Sequence, residues 1–278
     1  MNDDGVRNAT SASSPGRVDY DRIADTYDCR YEHSPMQDVS DVLRSHARRL
    51  GARDVLEVGC GTARYLADLP SERMRRWGLD LSAGMLEQAE RRGVDLRLVR
   101  ARAVPVPFAD GTFDLVFCVN AIHHFDNPCA FVEEAHRCLR PGGVLVVIGS
   151  DPRDGQGASY IYQYFEGTLE TDLRRFPSWG TVLNWMVRTG FGPIEFRWVE
   201  HIDDPKVGAE VLDDPFLRKN ACSQLALLSD AAYSAGLRRI ESALQQAAAA
   251  GERLIFPADI HIGALAAKRT GQLSEART

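Results

Sequence analysis

Two carboxylates, two glycines and a pair of histidines are the residues of this chain whose types and spacing could do chemistry. Val55, Leu56 and Val58 form a short apolar run around Glu57 that passes into Gly59-Cys60-Gly61, and Tyr65, Leu66 and Leu69 then switch to helical spacing. That order predicts a strand, a tight turn and a helix. Glycine at 59 and 61 admits positive φ and lets a ligand lie against bare backbone, while the turn aims the free N–H groups of the new helix at whatever binds there. Asp80 lies 21 residues after Gly59, at the end of the next apolar run (Trp77, Leu79), where it can accept hydrogen bonds from both hydroxyls of a ribose. A dinucleotide fingerprint wants a small residue three places after the second glycine, and that place holds Arg64. Glu57, two residues before the first glycine, would repel a pyrophosphate and suits a ligand carrying positive charge. His123 and His124 follow the apolar run Leu115 to Val119, at the carboxyl end of a strand, where open α/β sheets place their ligands. Unperturbed imidazole titrates near pH 6.5, so either could act as a base.

S-adenosylmethionine carries an ammonium and a sulfonium and meets these demands. Read together, Glu57-Val58-Gly59-Cys60-Gly61 and Gly78-Leu79-Asp80-Leu81-Ser82-Ala83-Gly84-Met85 resemble the first two motifs of the class I S-adenosylmethionine-dependent methyltransferases, in their small-molecule, type 11-like branch. The resemblance implies an α/β fold with a doubly wound, mostly parallel seven-stranded Rossmann-like sheet, to which the long span between the last two predicted strands adds an inserted helical cap. It also implies S-adenosylmethionine as cofactor, a small-molecule methyl acceptor and no metal. Glu57, Gly59, Cys60, Gly61, Asp80, Leu81 and Met85 would then touch the cofactor, and Asn120 and Ala121 would lie against its methionine portion. The loop Ala101 to Asp114, with its Pro-Phe and Asp-Gly-x-Phe-Asp landmarks, resembles the one that touches adenine. Arg102 stands there where the family commonly has an acidic residue. Arginine has no acceptor, so the adenine is read by backbone around Ala103 or Arg102 points away. The string Leu139-Arg140-Pro141-Gly142-Gly143 is a further landmark, and is equally a helix stop and a turn.

Tyr20, Ile23, Ala24, Tyr27 and Tyr31 fall on one face of a predicted helix. The pattern resembles the family's N-terminal lid, whose tyrosines close over cofactor and reactive methyl; plain packing on the main domain is the alternative. Arg30 would meet the cofactor carboxylate or make a surface ion pair. Tyr20 and Tyr27 could orient the acceptor. Methyl transfer requires nucleophile, methyl carbon and sulfur in line, and in some cases removal of a proton. His124 is the expected base, with His123 as the alternative and Tyr20 beside them; one histidine could instead be a packed structural residue. His201 and His261 lie outside every motif and receive no role.

The chain has 278 residues, 44% of them apolar, enough for a normal core. No apolar run approaches the roughly 20 residues needed to cross a bilayer, and Met1 to Arg17 is polar with no hydrophobic centre, so a cytoplasmic location is expected. Six cysteines without ligand spacing predict neither disulfides nor zinc. A net charge of −6 argues against nucleic acid as partner, and the arginines crowding residues 44 to 102 are interrupted by acids, as on solvated helix faces.

The elements that must position these residues divide the chain as follows. Residues 1 to 16 form a polar tail expected to be disordered, and 17 to 50 the lid helices, with Val39 to Leu50 ending at Gly51. Residues 51 to 202 and 255 to 268 form the core, and 269 to 278 a frayed tail. A single helix is predicted over Ala158 to Phe176 and another over Gly180 to Thr189, followed by a strand at Glu195 to Val199. Residues 203 to 254 contain helical patterns at Gln224 to Leu228 and Asp230 to Ala249 where a short connection would suffice. Such an insertion is usually functional, and with 155 to 178 it is read as a cap over the acceptor that could also carry homo-oligomer contacts. An RNA methyltransferase and a non-catalytic binding protein on the same fold remain as alternatives, and a nicotinamide enzyme is disfavoured by Arg64 and Glu57.

Overall fold

The computed structural model describes residues 18–31, 36–70, 72–154 and 158–270. Its strands are β1 (Asp54–Val58), β2 (Arg75–Asp80), β3 (Arg97–Arg100), β4 (Phe113–Val119), β5 (Leu139–Gly149), β6 (Phe191–Asp203), β7 (Lys206–Val207), β8 (Ile255–Phe256) and β9 (Asp259–Arg269). The α-helices are α1 (Gln37–Leu50), α2 (Arg64–Ala67), α3 (Ala83–Arg91), α4 (Pro128–Cys138), α5 (Tyr160–Tyr164), α6 (Thr168–Arg175), α7 (Trp179–Thr189), α8 (Ser223–Ala226) and α9 (Asp230–Ala250). A seven-stranded sheet runs in the order β3-β2-β1-β4-β5-β9-β6, parallel from β3 to β5 and antiparallel where β9 pairs with β5 and β6. This is the doubly wound fold expected from the sequence.

The central strands are apolar on both faces because helices cover both. Val55, Leu115 and Phe117 turn toward α1, α2 and α3, while Leu56, Val58, Val116 and Cys118 turn toward α4 and α7. β1 is buried at every position. Gly51 ends α1 in the left-handed conformation at φ 55°, and Gly190 ends α7 at φ 95°, as their positions after amphipathic runs predict. No helix among the described residues is long and apolar enough to cross a membrane.

Local structure departs from the sequence reading in several places. The helix after the glycine turn is a single turn of four residues. The predicted helix over Ala158 to Phe176 breaks at Gly167, φ 80°, into α5 and α6. Residues Ala24–Tyr31 form a 3₁₀ helix rather than an α-helix. The Arg140-Pro141-Gly142-Gly143 string is a bulge inside β5, not a turn ahead of it. β6 is far longer than Glu195 to Val199, and β9 runs to Arg269, one residue into the expected tail. The expected tails at 1 to 16 and beyond 270, and residues 155 to 157, lie outside the described residues.

Between β6 and β9 the chain makes β7, two short 3₁₀ turns, α8, α9 and β8. Val211, Leu217, Leu225, Ile240 and Phe256 of this stretch pack with Tyr160, Ile161 and Phe165 into an apolar cluster distinct from the two that line the sheet. Gly236 of α9 lies against the Phe165 ring; a Cβ there would come within 2.2 Å of it.

Candidate active site

The strand order reverses between β1 and β4, and a cavity of about 460 Å³ opens there, outside the carboxyl ends of the strands. A cavity of this size suits a small-molecule ligand. Its floor is Gly59, Gly61 and the end of β2, one wall is Arg100 to Val104, another is Asn120, Ala121 and His124 to Asp126, and its roof is Val18 to Asp21 with Tyr27.

Asp80 is set by the glycine turn. Its Oδ2 accepts the Gly61 N–H at 2.8 Å and its Oδ1 accepts the Ser82 N–H at 2.9 Å. Burial raises its pKa, and these N–H groups pull the other way. A carboxylate has about four lone-pair directions, so two stay open toward the cavity. The glycines divide the work differently from expectation. Gly59 has φ 70°, and a Cβ there would sit 2.7 Å from the Ala121 Cβ and 3.2 Å from the Phe125 ring, so its bareness serves packing of the turn against the end of β4. Gly61, φ 53°, faces open space and is the bare backbone available to a ligand. Asn120, also left-handed at φ 49°, donates its N–H to the Ile148 carbonyl at 2.9 Å and lies on the wall. Strain of this kind in a non-glycine residue clusters at ligand sites.

Leu81, Met85, Arg102, Ala103 and Ala121 line the cavity as well. Arg102 pairs with Asp126, which brings a carboxylate to the wall where the sequence has an arginine. Three expected contacts are not on the wall. Arg30 lies 3.7 Å over the Tyr27 ring and donates to the Tyr27 carbonyl at 2.9 Å, folded back on its own helix three residues away. Cys60 is buried, and burial pushes its thiol pKa well up. Glu57 is buried beneath the turn, its pKa also raised by burial, and its Oε2 has no partner among the described residues. An orphaned buried acceptor is costly and marks a place for a donor, such as a cationic ligand group or an ordered water.

The lid segment is moored by acids at helical spacing. Asp21 Oδ1 accepts the Ser82 hydroxyl at 2.6 Å and the Gly84 N–H at 2.9 Å, Asp25 accepts from Gln88 at 2.5 Å, and Asp28 accepts from Thr62 at 2.7 Å and pairs with Arg92. Val18, Ile23 and Ala24 meanwhile pack on Met85, with Tyr20, Tyr27, Ala226 and Leu227 against them. Lid, α3 and the end of α8 thus meet beside the cavity.

The two histidines have different surroundings. His123 stacks on Phe176 at 3.7 Å, and burial, then His124 and Arg175, hold its pKa well below the ordinary value; it does not line the cavity. His124 does. Its Nε2 lies 2.7 Å from the Tyr20 hydroxyl and its Nδ1 3.3 Å from an Arg175 nitrogen. Arginine can only donate, so Nδ1 must present its lone pair, and the proton of the neutral ring is assigned to Nε2, which donates to Tyr20. Burial pushes the Tyr20 phenol far up, so it keeps its own proton. Asp21, Asp126 and Arg175 carried no signal in the first motifs. Only the spacing of Asp21, Asp25 and Asp28 at one helical face could have pointed to the mooring.

Residues 56–147 match the family model described as a methyltransferase domain. A demethylmenaquinone methyltransferase of Beutenbergia cavernae is 33% identical over 129 residues, 45% of this chain and 54% of that protein, so the chain spans about half the length of that curated relative. An uncharacterized protein of Methanocaldococcus jannaschii is 31% identical over 195 residues, 68% of this chain and 90% of that protein. In fold, the chain is similar to phosphoethanolamine N-methyltransferase 2 of Haemonchus contortus, solved in complex with S-adenosyl-L-methionine, at a TM-score of 0.52 and 18% identity over 92% of this chain and 61% of that one.

Proposed function

The chain belongs to the class I S-adenosylmethionine-dependent methyltransferases, and on that premise we propose that it methylates a small, apolar or aromatic molecule held between the glycine turn and the tyrosine lid. The observation that carries this reading is the cavity itself, which has the Asp80 and Gly61 floor at one end and the Tyr20–His124 pair at the other. The residues present fit the cofactor. Asp80 has lone pairs open for a ribose, Gly61 is bare, and Glu57 Oε2 lacks a donor. In this reading Asp80 holds the ribose and Asn120 and Gly61 meet the methionine portion. Leu81, Met85 and Ala103 enclose the adenine, with the Asp126 carboxylate as acceptor for its amino group. The bound cofactor supplies the electrophilic methyl. Everything else is the chain's work.

That work is positioning and charge. For His124 to take a proton on Nε2, Nδ1 would have to be protonated against the Arg175 guanidinium, so the pair is poorly set as a base. The run Arg175, His124, Tyr20 instead ends in a phenol hydroxyl that donates into the cavity. Such a donor orients an acceptor and stabilises its nucleophilic atom in ionised form, as a phenolate or enolate oxygen would be. The lid's apolar face and Phe125 exclude water from that end. Acids break up the arginine-rich stretch, pairing Arg44 with Asp41, Arg75 with Asp54, Arg91 with Asp25, Arg92 with Asp28 and Arg102 with Asp126, which supports the small-molecule reading over a nucleic-acid one.

Calorimetry with S-adenosylhomocysteine and NAD side by side tests the cofactor, and a methyl-label screen over small-molecule extracts tests the acceptor class. Binding of S-adenosylhomocysteine alone and labelling of an apolar product support the reading. Failure to bind S-adenosylhomocysteine, or labelling confined to RNA, overturns it.

A further inference from the structure

Away from the cavity, three side chains converge at the neck where residues 204 to 258 leave and rejoin the sheet. We infer that His201, Asp259 and His261 bind a divalent first-row transition cation, with Zn²⁺ the best fit, and that the cation clamps this neck. The inference is independent of methyl transfer.

In the antiparallel β6–β9 pair His201 stands directly opposite His261, and Asp203 opposite Asp259. Side chains two apart on a strand share a face, so Asp259 and His261 point the same way, and His201 joins them across the ladder. The two imidazoles stack with centroids 4.1 Å apart and planes 18° apart. Both turn Nε2 on one atom: Asp259 Oδ1 is 2.8 Å from that of His201 and 3.2 Å from that of His261. One ligand atom from each of the three residues lies within 4.8 Å of the other two.

As they stand, the two Nε2 atoms share one carboxylate oxygen. A divalent cation at their meeting point takes the place of the shared protons and meets three Lewis bases at once. Two imidazole nitrogens and a carboxylate oxygen suit Zn²⁺, which takes this set with a water in its fourth position, whereas Mg²⁺ and Ca²⁺ prefer oxygen alone. Side-chain exposures of 52% for His201, 36% for Asp259 and 21% for His261 give the ion and that water access. Trp198, its ring edge-on to His261 with centroids 5.7 Å apart, walls one side. None of the three ligands lines the cavity, so the cation acts on the neck and not on the reacting atoms.

The site escaped the sequence reading because Asp259-Ile260-His261 is a bare i, i+2 pair and its third member is on another strand. The test is calorimetric titration of ZnCl₂ into the full chain without a polyhistidine tag, at about pH 7.5 where ordinary imidazole is neutral, with the thermal midpoint read by circular dichroism. We expect one equivalent bound at micromolar affinity or tighter, a raised midpoint, and no such effect of MgCl₂. His201→Ala or His261→Ala should weaken binding by roughly tenfold or more and cancel the thermal shift. Because His201 is the most exposed of the three, His201→Gln serves as the variant least able to disturb folding. Absence of saturable Zn²⁺ binding to the wild type overturns the inference. So does a variant with native dichroism and S-adenosylhomocysteine affinity that binds Zn²⁺ as tightly as the wild type.

Discussion

Arg175 reaches His124 Nδ1 at 3.3 Å with one guanidinium nitrogen while another is held at 3.1 Å by the fully buried Asp172 carboxylate. Asp172 also accepts from Tyr162 at 2.8 Å and from Gln224 at 2.7 Å. The tautomer of a cavity-lining histidine is therefore set from α5, α6 and α8, outside the sheet. Arg175→Lys keeps a charge beside Asp172 but loses the planar fork that serves both partners. Turnover should fall by about 10², the usual cost of a lost preorganised donor, with S-adenosylhomocysteine affinity within a few-fold. ¹⁵N spectra of the imidazole should report Nε2–H in the wild type and a mixed tautomer in the variant. An unchanged tautomer and rate would remove Arg175 from the mechanism.

Tyr20→Phe deletes the hydroxyl that His124 Nε2 meets at 2.7 Å. Turnover should drop by roughly 10² and His124→Gln should cost no more than that, because both act through one donor. If His124→Gln instead loses about 10³ or more while Tyr20→Phe loses less than about tenfold, His124 is a base after all.

Asp80→Ala removes an acceptor that also orders the turn through Gly61 at 2.8 Å. Bonds to a charged acceptor are worth about 1.5–3 kcal/mol each, so S-adenosylhomocysteine should bind at least roughly tenfold more weakly by calorimetry. Equal affinity would refute the ribose assignment.

Gly236→Ala places a Cβ 2.2 Å from the Phe165 ring inside the apolar cluster of the insertion. Overpacking of this kind costs about 1–3 kcal/mol. If the insertion caps the acceptor, methyl transfer should fall while S-adenosylhomocysteine affinity is kept. Transfer at the wild-type rate in a variant with a lowered urea midpoint would show that the insertion does not shape the acceptor site.

His46 is 5% exposed, and its pKa is lowered to about 4, chiefly by burial and then by Arg49 and Arg197. The unfolded chain, with an ordinary value near 6.5, binds the extra proton first, so stability falls as pH drops from about 6.5 to about 4 and levels off below. The shift corresponds to about 3 kcal/mol over that window. His46→Gln should flatten the acid limb of the urea midpoint by that order, and an unaltered limb would assign it to other groups.

The fold was legible because its signals are local. Val55 to Gly61 and Leu115 to Val119 each carry strand identity, burial and turn in a few residues, and glycines after amphipathic runs mark α1 and α7. Asp80 was legible for the same reason, since its position follows from where a strand must end. What stayed hidden is contact between distant segments. Nothing near His124 announces that Arg175, 51 residues on, will fix its proton, or that Tyr20, 104 residues earlier, will receive it. Gly59 was assigned to the ligand because its neighbours Ala121 and Phe125 come from another strand end. The lid's 3₁₀ form was equally unexpected, because 3₁₀ runs longer than three or four residues are uncommon and this one extends over Ala24–Tyr31.

The mooring of Asp21, Asp25 and Asp28 on Ser82, Gln88 and Thr62 has a consequence for traffic through the protein. Asp21 is held by neutral partners, so salt loosens that point little, whereas the ion pairs of Asp25 with Arg91 and Asp28 with Arg92 are screened by it; the Ser82 hydrogen bond holds the Asp21 pKa below the ordinary carboxylate value, so it stays ionised at neutral pH. The resting protein is thus latched, with the cofactor's floor beneath the latch and the Tyr20 end beside it. For the proposed reaction the latch predicts ordered arrival, methyl donor before acceptor, with the demethylated donor last out; product-inhibition kinetics in the wild type and in Asp21→Asn check that order.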